Sequence, residues 1–114
     1  MAAAGCGTSP GRHYLHGFRL EGAELRQVLS WRVAASGMGP SADLVSVTAT
    51  PSARKGEGEF LDLTFAWTRA NCPFDEGAGH YVCKDRKPIG AELLRFDGRT
   101  YRLAGARVHV DFFD

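Results

Sequence analysis

The feature that most restricts the fold of this chain is the alternation of apolar and polar residues before Arg69. Every second side chain from Leu61 to Trp67 is large and apolar, and the residues between them are small or polar. A helix with about 3.6 residues per turn would spread these apolar side chains around its circumference, whereas a strand places them on one face. The segment Glu59–Arg69 is therefore predicted to be a β-strand with one buried face.

Most of the remaining chain shows the same period of two, and one segment also fits a helix. Glu24–Ala35 has apolar residues at both helical and strand spacing. Its β-branched and aromatic residues and the lack of a clear helix cap favour a strand, and the helix is the alternative. Further strands are predicted at Phe18–Glu21, Leu44–Pro51, His80–Cys83, Ala91–Phe96, Thr100–Leu103 and Arg107–Phe113.

Loop signals separate these segments and define the expected architecture. Residues 36–43, 52–59 and 84–88 are rich in glycine, proline or charge, and Asp97-Gly98 is typical of a two-residue hairpin turn. Half-polar strands joined by such turns favour antiparallel pairing. We expect an all-β domain, a small antiparallel β-sandwich or open barrel of six to eight short strands, at residues 13–114, preceded by a flexible tail at 1–12.

Composition and motifs argue against several classes of function. The formal net charge of +1 gives no general attraction to nucleic acid, and no apolar run is long enough to span a membrane. No phosphate-binding loop, nucleophile elbow or zinc-protease motif is present. His109 lies between Arg107 and Asp111, which is more typical of a solvated ion pair than of a general base. We therefore expect no enzymatic activity and no cofactor.

The segment from Cys72 to Cys83 allows three interpretations. A disulfide between the two cysteines would join neighbouring strands and close a glycine-rich loop, stabilising a small domain by about 2–3 kcal/mol. A metal site would use Cys72, His80 and Cys83, although structural zinc normally has four ligands and a closely spaced cysteine pair. The third interpretation is two reduced cysteines that do not meet.

The N-terminal residues Ala3-Ala4-Gly5-Cys6, followed by Gly7-Thr8-Ser9-Pro10, resemble the junction of a bacterial lipoprotein. This resemblance implies that Cys6 carries a lipid and that the following residues tether the domain to a membrane. It also implies an oxidising compartment, in which Cys72 and Cys83 form a disulfide. The expected location is the cell envelope, periplasm or exterior, and the cytoplasm is the alternative.

These expectations favour a protein that binds another protein, as an accessory subunit, an inhibitor or a scaffold. Loops at the ends of a sheet often carry recognition, and two loops are candidates here, at residues 71–81 and 36–43. The first offers Phe74 as an apolar anchor, with Asp75, Glu76 and Tyr81 beside it. The alternative function is a cytosolic metal-binding or small-ligand-binding module that uses the cysteine loop.

Overall fold

A computed structural model describes residues 11–39, 43–56, 58 and 60–113, and the described residues form strands, turns and loops without a helix. The predicted all-β class is confirmed, and Glu24–Ala35 is strand rather than helix. None of the described residues belongs to a helix long and apolar enough to cross a lipid bilayer. The eight strands are β1 Gly11–Glu21, β2 Glu24–Met38, β3 Leu44–Arg54, β4 Asp62–Cys72, β5 Phe74–Asp75, β6 His80–Tyr81, β7 Lys84–Phe96 and β8 Tyr101–Leu103.

Six of these strands form one antiparallel sheet in the order β1-β2-β3-β4-β7-β8, which curves into a half-barrel. The other two, β5 and β6, form a small hairpin inserted between β4 and β7. Neighbours along the chain are thus neighbours in the sheet, as expected for strands joined by short connections. Of the two predicted architectures, the structure corresponds to the open barrel rather than to two packed sheets.

Strand β4 supplies the centre of the core, as its alternation predicts. Phe65 and Trp67 are completely buried, while Ala66 between them is exposed. Burying an aromatic side chain stabilises a fold by about 1.5–3 kcal/mol, so these two positions anchor the sheet. The core cluster around them contains Leu29, Ala35, Val47, Ala49, Leu94 and Val110.

The β1–β2 hairpin extends well beyond the rest of the sheet. Strand β1 pairs with β2 along its whole length, with two register shifts. Strand β2 pairs with β3 only from Ala34 to Met38, so its first half has no backbone partner on that side among the described residues. The hairpin therefore presents two faces, one toward the half-barrel and one toward solvent.

The C-terminal segment differs from its prediction, because residues 104–113 form no strand. Gly105 and Phe112 adopt φ angles of 109° and 75°, which are incompatible with a continuous strand. The segment instead packs against the core, with Val110 completely buried and Arg69 Nε 2.8 Å from Asp111 Oδ2. The alternation was therefore a sign of partial burial rather than of strand pairing.

Several predicted boundaries were also wrong. Residues 84–88, predicted to be a turn, belong to β7, where Lys84 and Lys87 pair with β4. Both faces of this part of the strand are exposed to solvent, which explains its polar composition. The Asp97-Gly98 turn is a four-residue loop, in which the Asp97 carboxylate accepts hydrogen bonds from two backbone amides. Strand β1 begins at Gly11, inside the predicted tail, and β2 continues to Met38, inside a predicted loop. The rest of that tail, residues 1–10, and residues 40–42 of that loop lie outside the described residues.

Candidate functional site

The most unusual feature of the interior is a buried ion pair between β2 and β7. The Arg32 and Glu92 side chains are 4% and 0% exposed. Arg32 Nη1 lies 3.0 Å from Glu92 Oε1, and Arg32 Nη2 lies 3.1 Å from Glu92 Oε2, so the pair is bidentate. Bidentate geometry is the strongest form of this contact, and it helps to offset the cost of removing both charges from water.

Three further donors surround the same carboxylate. The indole Nε1 atoms of Trp31 and Trp67 donate to Glu92 Oε1 at 2.9 and 2.8 Å, and the Val108 backbone N donates to Glu92 Oε2 at 3.0 Å. Burial raises the pKa of Glu92, but the hydrogen bonds from Arg32, Trp31, Trp67 and Val108 together lower it below its usual value. Glu92 is thus held ionised with its oxygens fully engaged, which suits a structural role rather than proton transfer.

This network was not predicted from the sequence. Glu92 follows Ala91 and precedes Leu93 and Leu94 in a predicted strand, and Arg32 lies between Trp31 and Val33. A charged residue inside an apolar run is a signal that could have been used, because such residues are almost never fully buried unless paired. The strand order needed to pair them was not available from the sequence.

A cleft lies beside the buried pair. Its volume is about 220 Å³, and its wall combines aromatic, cationic and hydroxyl groups: Tyr14, Ser30, Trp31, Arg32, Arg107 and Phe113. The Trp31 ring is within cation–π distance of two guanidinium groups, with its centroid 5.3 Å from Arg32 Cζ and 5.9 Å from Arg107 Cζ. The cleft therefore offers planar apolar surfaces next to positive charge.

A second candidate surface is the solvent-facing side of the β1–β2 hairpin. Leu20 pairs directly with Leu25, and Phe18 lies two residues before Leu20, so all three side chains share one face, called here the outward face. Their exposed fractions are 52% for Phe18, 66% for Leu20 and 72% for Leu25. The opposite side contacts the half-barrel, where Arg19 Cζ lies 4.9 Å from the Phe60 ring centroid.

The predicted cysteine loop forms a compact hairpin. The sulfurs of Cys72 and Cys83 lie 2.01 Å apart, at disulfide distance, which agrees with the disulfide interpretation. The Phe74 and Tyr81 rings contact each other edge to face at 5.3 Å, and Phe74 is half exposed. Asp75 Oδ1 accepts a hydrogen bond from the Ala78 backbone N, so this carboxylate closes the turn.

Of the predicted binding residues, Phe74 and Glu76 are exposed at this hairpin, whereas Asp75 is engaged in the turn and Tyr81 is partly buried. The alternative metal set needs thiolates from Cys72 and Cys83, and these sulfurs are placed against each other. In the part of the chain that the structure describes, no group of three or more His, Cys, Asp or Glu residues is arranged to hold a metal ion.

His109 and Asp111 do not lie on a strand, although residues 107–113 were predicted to form one. Asp111 instead accepts the hydrogen bond from Arg69 and fixes the C-terminal segment to β4. The lipidation residue Cys6 lies outside the described residues. The chain matches no protein-family model, no curated protein and no solved structure.

Proposed function

We propose that this chain is a non-enzymatic protein-binding module that holds an extended segment of a partner protein along β1. The observation that carries this proposal is the outward face, on which Phe18, Leu20 and Leu25 are each more than half exposed. Single exposed apolar residues are common, but three on one face of a projecting hairpin form a contiguous patch of the kind that marks interaction sites.

The free edge of β1 supports the same proposal. Strand β1 is the first strand of the sheet, and within the described ranges no strand pairs with its outer edge. It is 11 residues long and contains neither proline nor lysine, two residues that commonly protect exposed edges from pairing. An extended partner segment can add to such an edge through backbone hydrogen bonds, and its alternate side chains then continue the outward face.

The charges of β1 indicate the chemistry of that segment. The strand carries two arginines, Arg12 and Arg19, against a single acidic residue, Glu21. Glu21 already lies 4.0 Å from Arg19 and 3.7 Å from Arg26. A segment that alternates apolar with acidic residues complements both the outward face and this positive charge.

The proposed location is the cell envelope or exterior, with the domain attached to a membrane by a lipid on Cys6. Support comes from the disulfide distance between Cys72 and Cys83, since disulfides persist mainly in oxidising compartments, and from the lipoprotein-like residues around Cys6.

The binding proposal is tested with a short synthetic peptide that alternates leucine and glutamate, titrated into the isotope-labelled protein and followed by backbone NMR. We expect saturable shifts at β1 amides, and weaker binding when lysine replaces glutamate in the peptide. The double variant L20S/L25S should bind about 30-fold more weakly, because each leucine contributes about 1 kcal/mol of apolar burial.

The matched control is Leu61→Ser, which removes a half-exposed leucine that lies before β4 and outside the outward face. It should leave the peptide affinity unchanged. Absence of peptide-induced shifts at β1, or equal affinities of the two peptides, would overturn the proposal. Sedimentation velocity at rising concentration tests the competing occupant, a second copy of this chain. If the parent protein self-associates and L20S/L25S does not, the outward face binds a second copy rather than a partner segment, and the proposal is overturned.

The proposed location has its own test. Intact mass is measured after iodoacetamide treatment of protein from an exporting host, with and without prior reduction. We expect Cys72 and Cys83 to react only after reduction, and Cys6 to carry lipid or to react directly. Reaction of all three cysteines without reduction would contradict the oxidising compartment.

A further inference from the structure

The cleft beside the buried ion pair continues the outward face along β1. Tyr14, which lines the cleft, lies four residues before Phe18 and six residues before Leu20 on that strand. The two register shifts of the hairpin leave their extra residues on β2, at Val28 and Val33, so β1 itself is regular over this range. Because residues an even number apart on a regular strand share a side, Tyr14 lies on the same side as Phe18 and Leu20.

The ring of His16 connects Tyr14 to this side of the hairpin. The Tyr14 and His16 rings stack with an interplanar angle of 19° and centroids 6.5 Å apart. His16 pairs with Ser30 across the hairpin, so Ser30, a second residue of the cleft wall, lies on the same side. Tyr14 is 43% exposed, and Ser30 is exposed as well. A segment bound along β1 would therefore pass the entrance of the cleft.

The wall of the cleft suits an aromatic side chain. Tyr14 and Phe113 contact each other edge to face, with ring centroids 5.7 Å apart, and Trp31 lies in the same wall. The Trp31 indole N–H already donates to Glu92, so Trp31 offers the cleft the apolar plane of its ring. A further ring can make edge-to-face or offset contacts with these three, which an aliphatic side chain cannot.

The size of the cleft sets how much of a partner can enter it. Its volume is about 220 Å³. A cavity of roughly 150 Å³ is enough to hold benzene. The cleft therefore has room for one aromatic side chain, while the rest of a bound segment stays outside, along β1.

We propose that the partner segment held along β1 carries one aromatic side chain that enters this cleft. The ring lies six residues along the segment from the side chain that packs against Leu20, a distance of about 20 Å at about 3.3 Å per residue. Aromatic side chains are long enough to contact diagonal neighbours on an adjacent strand, so a ring placed near Tyr14 reaches the cleft. This inference rests on the proposed function and adds to it the residue that fixes the register of the segment.

The test extends the peptide titration to two derivatives of the leucine–glutamate peptide. One has tryptophan in place of the leucine nearest the N-terminus, and the other in place of the leucine nearest the C-terminus, which covers both directions of pairing with β1. We expect one derivative to bind about tenfold more tightly than the parent peptide and to shift the Trp31 indole N–H signal of the isotope-labelled protein. The other derivative should bind like the parent peptide.

Two leucine variants test whether the cleft produces this gain. Ser30→Leu fills the cleft from an exposed position, so it should remove the tenfold gain and leave the affinity for the leucine–glutamate peptide unchanged. The matched control is Ser52→Leu, the same substitution at an exposed position of β3 outside the cleft wall, and it should keep the gain.

The outcomes separate this inference from the proposed function. If the leucine–glutamate peptide shifts β1 amides but neither derivative gains affinity, the aromatic anchor is overturned and the proposed function stands. An equal gain for both derivatives, or a gain that persists in Ser30→Leu, would also overturn the anchor. If no peptide shifts the β1 amides, the proposed function fails and the anchor fails with it.

Discussion

Replacing Arg32 by alanine should be among the most damaging single substitutions in this domain. The change removes the bidentate partner of Glu92 and leaves that carboxylate with three donors, Trp31, Trp67 and the Val108 amide. Breaking one side of a buried ion pair typically costs about 3–5 kcal/mol, because an uncompensated charge stays in the interior. Small domains have total stabilities of roughly 5–15 kcal/mol, so the variant should lose a large fraction of its free energy of unfolding.

The loss should depend on pH, and its sign can be worked out. In the parent protein the pKa of folded Glu92 is lowered, so its contribution is present above the unfolded pKa near 4.5 and is lost as pH falls through the folded pKa. Without Arg32, burial dominates and the folded pKa of Glu92 should rise above the unfolded value. In the variant, Glu92 then contributes most to the free energy of unfolding below the unfolded pKa, and this contribution is lost as pH rises through the new folded pKa.

The assay is urea unfolding followed by tryptophan fluorescence at about pH 5 and pH 8, since Trp31 and Trp67 both contact Glu92. The destabilisation by Arg32→Ala should be larger at the higher pH. The control Arg102→Ala breaks an exposed ion pair with Asp97 and should unfold close to the parent midpoint. A loss below about 1 kcal/mol, or the same loss at both pH values, would refute this account of the network.

Three further predictions follow from other parts of the structure. Cys72→Ser should lower the free energy of unfolding by about 2–3 kcal/mol in calorimetry, and reduction of the parent protein should reproduce this loss, whereas an unchanged midpoint would argue against a bridge to Cys83. Gly37→Ala places a Cβ 2.6 Å from the Phe112 ring and should cost about 1–3 kcal/mol in urea unfolding, because the C-terminal segment must shift; full stability would contradict the described packing. Hydrogen bonds from the Thr100 and Arg99 amides lower the pKa of Asp97 from 3.8 to about 2, so the stabilising contribution of its carboxylate should vanish as pH falls between these values. The free energy of unfolding of Asp97→Asn should therefore change less with pH over this range than that of the parent protein.

The sequence was most informative where alternation coincides with pairing. In strand β4 the alternation corresponds to burial at Phe65, Ala66 and Trp67, where one face meets the core. The same rule failed for residues 104–113, where Val110 is buried in a segment that forms no strand. Burial, rather than hydrogen bonding, produced the pattern in that segment. Lys84 and Lys87 show the converse case, in which paired residues have both faces exposed and therefore no apolar signal.

The candidate sites were harder to predict, because each depends on contacts that are distant along the chain. The cysteine pair could be predicted from the sequence, since a disulfide needs only two cysteines on neighbouring strands. The contact between Arg32 and Glu92 joins residues 60 positions apart, on strands that do not neighbour each other in the sheet. Glu92 was predicted to lie on a strand but not in the protein interior, because the residue pattern along one strand does not show which side chains face it across a curved sheet.

The position of this ion pair explains how a half-barrel with an incomplete sheet holds its longest hairpin in place. The pairing of β2 with β3 begins only at Ala34, and Arg32 lies two residues before it in the part of β2 that is not paired with β3. From there its side chain reaches Glu92 on β7, while further along β2 the Arg26 side chain donates to the Arg99 carbonyl beside β8. Side-chain hydrogen bonds thus hold the first half of β2 to the half-barrel, where β2 has no backbone pairing with β3.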